Sequence, residues 1–103
     1  MLSELDLRQE IVKLLREHQA QISNYDKEAA ERKQRLLYRH FRKLESIEEE
    51  GSFLSKALQI RRQHLQMQRY KLRIQRKRTE LIFKQAIELN ALKMRWREAQ
   101  IKG

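Results

Sequence analysis

"ESIEEEGSFLS", residues 45–55, is the only internal place in this chain where one long helix can stop and another begin. Gly51 can take the left-handed conformation that closes a helix, and Ser52 can cap the next one. Glu48, Glu49 and Glu50 stand at the end of the first helix, where the macrodipole disfavours acids, but just before a strongly basic segment with which they can pair. Elsewhere the chain of 103 residues has no proline and one further glycine, Gly103. A compact fold of this size needs more turn-forming residues than that. The composition, rich in Leu, Glu, Gln, Lys, Arg and Ala, favours helix instead. At the start, "SELD" places Ser3 and Asp6 at capping-box spacing. The expected fold is therefore all-α: a single antiparallel coiled-coil hairpin over residues 1–103, with helix 1 about 3–49, a turn at 50–52 and helix 2 about 53–101.

Each helix would be about 70–75 Å long at 1.5 Å per residue, and so short a connection forces the two antiparallel. In helix 1 a seam follows alternating steps of four and three through Ile11, Leu15, His18, Ile22, Tyr25, Ala29, Arg32 and Leu36. It then shifts by one residue to Leu37, Phe41 and Leu44, a stutter of the kind long coiled coils tolerate. Helix 2 carries two tracks that step by seven: Leu58, Leu65, Leu72, Thr79, Ala86, and Phe53, Ile60, Met67, Ile74, Leu81. Their offset of two residues is about 200° around a helix. One track can pack on helix 1. The other is surplus, and calls for a further protein contact or for self-association into a four-helix bundle.

Charge divides the chain in two. The net charge is +10, yet all the excess lies in the second half, and between Leu58 and Glu80 there are eight Lys/Arg and no acid. An acidic partner is implied, whether protein, nucleic acid or anionic lipid. A basic-zipper reading fails because basic and apolar positions interleave instead of occupying separate regions. Two nearly opposite apolar faces also do not suit a single membrane interface. No nucleic acid and no direct membrane insertion are expected. No run approaches the ~20 apolar residues of a membrane span. The N-terminal "MLSELDLRQE" is polar and partly acidic, unlike a secretory signal. The chain has no cysteine, which removes disulfides and thiol chemistry and fits a reducing cytoplasm.

Catalysis has no foothold. His18, His40 and His64 lack the i, i+4 spacing of a helical metal pair, and no acids join them. Glycine-rich phosphate loops and nucleophile elbows are absent from the sequence. No catalytic residue, no metal site and no cofactor are expected. His18 falls on the seam, where packing explains it. Tyr38, Phe41 and Phe53 stand near the turn and, with Leu37, Leu44, Leu54 and Leu58, can close the hairpin or form an apolar docking tip. Trp96, in "KMRWRE", can fill the seam or anchor a partner.

The segment "FLSKALQIRRQHLQMQRYKLRIQRKRTELIFKQ", residues 53–85, resembles the second helix of type III secretion stalk proteins, the FliJ/YscO class, most closely their InvI/SpaM branch. The likeness rests on "RRQ" at Arg61–Gln63 and "IQRKRTEL" at Ile74–Leu81, with Lys84 just after. Helix 1 agrees in architecture.

The resemblance implies a non-enzymatic antiparallel coiled coil similar to the central stalk of rotary ATPases. In that class the paired ends enter the pore of a hexameric secretion ATPase and promote its assembly and activity. The hairpin tip faces the cytoplasmic domain of the export gate, and some members bind export chaperones. Carried onto this chain, Leu37, Tyr38, Phe41, Leu44, Phe53 and Leu54 are candidates for gate contact. Arg61, Arg62, Arg76, Lys77 and Arg78 are candidates for electrostatic contact. Arg8, Lys13, Arg95, Trp96 and Arg97 are candidates for the ATPase pore. The implied setting is the cytoplasmic face of a virulence injectisome. The rival expectations are a basic hairpin that binds nucleic acid and a self-associating coiled-coil scaffold.

Overall fold

The structure, a computed structural model, describes residues 3–102, apart from the side chains of Glu49, Glu50 and Lys102. The expectation that Glu49 and Glu50 oppose the helix dipole therefore lies outside the described residues. Two helices, α1 (Glu4–Glu50) and α2 (Phe53–Lys102), run through the described residues, with no strand among them. The expected bounds agree with these to within one residue.

Each helix end is set by a local signal. At the start of α1 the Ser3 amide donates to Asp6 Oδ2 and the Asp6 amide donates to Ser3 Oγ, both at 3.1 Å. This is a reciprocal capping box. The bond from the Ser3 backbone, then that with the Ser3 side chain, holds the Asp6 carboxyl below its usual range. A depressed carboxyl pKa makes this cap's contribution full at neutral pH and lost as pH falls through the folded value. At the turn, Gly51 has φ of 77° and its amide reaches the carbonyls of Ile47 and Glu48. Ser52 then starts α2: its Oγ accepts from the Ser55 amide at 3.3 Å and its carbonyl from the Lys56 amide at 3.2 Å. The Lys56 ammonium also pairs with the Glu48 carboxylate across the turn. Both groups are substantially exposed, so the pair adds little stability.

The backbone groups into two compact units, each holding a piece of both helices. Residues 26–76 form the unit that contains the turn. Residues 1–25 with 77–103 form the unit that contains the helix ends. In the first, Ala29 meets Tyr70 and His40 meets Gln63, so the helices run antiparallel. In the second, a shallow groove takes Glu10, Lys13, Leu14 and Glu17 from α1 and Glu88, Ala91, Leu92 and Arg95 from α2.

The buried line does not keep to heptads. Along α2 the positions withdrawn from solvent are Lys56, Gln59, Gln63, Met67, Tyr70, Ile74, Arg78, Leu81, Gln85, Leu89, Leu92, Trp96 and Ala99, in steps of three, four and four. Along α1 the same stepping runs through Ile11, Leu14, His18, Ile22, Tyr25, Ala29, Leu36, His40, Leu44 and Ile47, with exposed Lys33 the one gap. Three turns per 11 residues is about 3.67 residues per turn, close to a relaxed helix, whereas a heptad asks for 3.5.

This corrects the expected seam at several positions. Leu14 packs, and Leu15 is exposed. Arg32 is exposed. Leu36 and His40 continue the line, while Leu37 and Phe41 point to solvent, so the proposed shift by one residue does not occur. Burial is shallow throughout. Among the described residues Leu7 is the only buried apolar side chain, and the other two buried side chains, His18 and Gln63, are polar.

Candidate functional site

Three α1 carbonyls, each 11 residues from the next, receive a side chain from α2. Gln85 Nε2 donates to the His18 carbonyl at 3.0 Å, Tyr70 Oη to that of Ala29 at 2.6 Å, and Gln63 Nε2 to that of His40 at 2.9 Å. A helical carbonyl has a second lone pair beyond its own i+4 bond, so these bonds need not break the helix. Glutamine recurs at 63 and 85, but the position midway between them is Ile74, which cannot donate a side-chain hydrogen bond. Tyr70, one turn earlier, supplies the middle bond.

The two outer stations also hold the histidine rings. His18 Nε2 lies 3.0 Å from Glu88 Oε2, and His40 Nε2 lies 2.9 Å from Gln66 Oε1. In both, an acceptor oxygen faces the ring, so Nε2–H is the donor. Gln85 Nε2 also donates to Gln21 Oε1 at 3.2 Å. No sequence expectation placed these glutamines or His40 at the helix contact. Their recurrence at 22-residue spacing in both helices is the signal that marks them.

Opposite this polar seam, α2 shows an exposed face. Leu58, Leu65 and Leu72 are 54%, 45% and 62% exposed, and Thr79 and Ala86 of the same track are exposed too. Met67, Ile74 and Leu81 of the second track pack, but Phe53 and Ile60 do not. The surplus apolar track is thus the one that begins at Leu58. Arg61, Arg62, Arg76 and Lys77 lie exposed, whereas Arg78 sits on the seam and is half-buried.

Around the turn, Phe53 is 87% exposed and Leu54, Leu37, Tyr38 and Phe41 are exposed as well, while Leu44 is half-buried on the seam. The Arg42 guanidinium stands 5.8 Å from the Tyr38 ring centroid. Because His40 is level with Gln63, Phe41 and Phe53 are separated by about ten residues of α2, roughly 15 Å. These residues line one end of the unit without forming one cluster.

In the other unit, Arg8 pairs with Glu4 at 3.1 Å, and Lys13, Arg95 and Arg97 are exposed. Trp96 is on the seam, and its Nε1 is buried with no hydrogen-bond partner. Of the two roles open to it, the structure puts it in the seam. Among the described residues, no group of three or more His, Asp or Glu could hold a metal, and no helix is long and apolar enough to cross a membrane. The grooves are open and shallow, lined by surface residues of one or both helices. What the arrangement offers chemically is contact: exposed leucines and exposed cations along α2, exposed aromatics at the turn. Comparison with known proteins finds no family model, no curated protein and no solved structure that matches this chain.

Proposed function

We propose that this chain is a non-enzymatic central stalk of a type III protein secretion system, acting at its cytoplasmic face. It binds the hexameric export ATPase with the end formed by the two helix termini, stimulates it, and couples it to the export gate through the turn. The observation that carries this reading is an antiparallel helix pair whose turn end presents Phe53, Leu54, Tyr38 and Phe41 to solvent. Exposed aromatic side chains of this size are costly to leave in water and are characteristic of contact sites. The likeness of Arg61–Gln63 and Ile74–Leu81 to the stalk class supports it further. Arg8, Lys13, Arg95 and Arg97, in the unit that contains the helix ends, supply exposed cations for an acidic pore lining.

The test is to mix the purified protein with the export ATPase of the same organism and measure hydrolysis rate and hexamer formation. Both rise if the chain is a stalk. If neither changes while duplex DNA binds with a steep salt dependence, the chain is instead a nucleic-acid-binding hairpin. A Phe41→Ala plus Phe53→Ala variant keeps its helicity, since both side chains are exposed, and loses binding to the gate domain. Retained binding removes the turn end from the mechanism.

A further inference from the structure

The α2 sequence from Leu58 to Arg78 is three heptads, "LQIRRQH", "LQMQRYK" and "LRIQRKR", each opening on leucine and carrying arginine at its fifth place. Leu58, Leu65 and Leu72 therefore form one line, and Arg62, Arg69 and Arg76 a second line one turn further along the same face. This face lies roughly 170° around α2 from the local seam of Gln63, Met67, Tyr70 and Ile74. All three leucines are about half exposed, and all three arginines are exposed. Among the described residues none of these arginines makes an ion pair within the chain. No acid occurs in α2 between Lys56 and Glu80. On the arginine side, a groove lined by Arg39, Arg69 and Arg73 adds a cation from α1. The whole arrangement lies within the unit formed by residues 26–76.

We propose that this face docks an acidic amphipathic helix, about five turns long, from a partner protein. A helix with apolar residues at heptad spacing would cover the three leucines. Glutamates flanking its apolar line would meet Arg62, Arg69 and Arg76, as charges flanking a coiled-coil seam set the choice of partner. A second copy of this chain is a poor occupant, because pairing the same face would set one arginine line against another. A phosphate backbone would meet the arginines but leave the leucines in water. A bilayer fits less well, because the apolar line is one residue wide and bordered by charge. The proposal stands apart from the stalk reading, since it concerns one face and names no assembly.

The probe is a fluorescein-labelled 21-residue peptide with Leu at its core heptad positions and Glu flanking them, compared with a twin carrying Lys for Glu. Fluorescence anisotropy with the full chain should show binding of the glutamate peptide and none of the lysine twin. Affinity should fall about tenfold as NaCl is raised from tens to hundreds of millimolar. Leu58→Ser, Leu65→Ser and Leu72→Ser together should weaken binding by about tenfold or more while circular dichroism is unchanged, since all three are exposed. Arg62→Gln, Arg69→Gln and Arg76→Gln together should weaken it comparably and flatten the salt dependence. Lys27→Gln, an exposed change elsewhere, should leave it unaltered. Equal binding of both peptides, no binding of either, or full binding by the leucine variant would overturn the proposal. So would uptake onto phosphatidylserine vesicles, binding to duplex DNA, or dimerisation in sedimentation, if the leucine variant abolishes it. Failure here leaves ATPase stimulation untouched, so the two proposals fail separately.

Discussion

His18 and His40 occupy equivalent stations, yet the molecule treats them differently. Each histidine gives its carbonyl to a glutamine of α2 and its ring Nε2 to the residue three places after that glutamine. At His40 that residue is neutral Gln66. At His18 it is Glu88. His18 is 6% exposed, whereas His40 is only half-buried. The difference shows where the helix pairing finds its specificity. Among the described residues only Leu7 is a buried apolar side chain, and apolar seam positions such as Ile22, Leu36, Met67 and Ile74 are half-buried, so shallow apolar packing alone sets the register loosely. Directed bonds to carbonyls hold the register, because sliding by one residue loses all of them together.

The sharpest way to break this comparison is to delete the rings. His18→Ala should cost about 2 kcal/mol, the loss of a nearly enclosed side chain and its hydrogen bond, and His40→Ala about 1 kcal/mol. Thermal unfolding followed by circular dichroism would measure both. Equal losses would mean that enclosure at the first station contributes nothing beyond the shared bonds.

The middle bond offers a finer test, because there the pattern departs from itself. Tyr70→Phe removes a 2.6 Å bond and should cost about 1 kcal/mol, leaving the Ala29 carbonyl with its helical bond alone. Ile74→Gln installs the glutamine that the outer stations have. On its own it exchanges apolar packing for an amide and should destabilise. In the Tyr70→Phe background it should cost about 0.5–1 kcal/mol less, since its amide then has a vacant acceptor. A double-mutant cycle that closes to zero would show that Tyr70 and the glutamines do not play interchangeable parts.

Much of this was legible in the sequence, and the rest was not for a definite reason. Caps are local: Ser3 with Asp6, and Gly51 with Ser52, act within four residues, so they could be placed from spacing alone. His18 was correctly put on the seam, and α2 was correctly read as having an apolar track to spare. Choosing between the two tracks required the true period. Three heptads span 21 residues and two 11-residue repeats span 22, so over six turns a heptad line falls one residue behind the packed line. The misplacements in α1 are local: between correctly placed Ile11 and His18 the expected line took Leu15 where Leu14 packs, and after correctly placed Leu36 it stepped to Leu37 and Phe41 where His40 packs. The polar contacts were hidden for another reason. A search for apolar periodicity passes over Gln63 and Gln85 even though they recur at the helix contact.

Glu88→Gln is the smallest change and tests the comparison most directly, because it gives the first station the chemistry of the second. Glu88 is 55% exposed at its side chain, so solvent screens much of its attraction to the ring. The amide oxygen of glutamine can accept the same Nε2–H. Stability at neutral pH should therefore shift by no more than about 0.5 kcal/mol, as thermal unfolding would measure. The contrast with His18→Ala is then the informative quantity. A small change for Glu88→Gln beside a large one for His18→Ala would assign the first station's greater weight to the enclosed ring. A large change for both would assign it to the charge, and the two stations would be alike in geometry only.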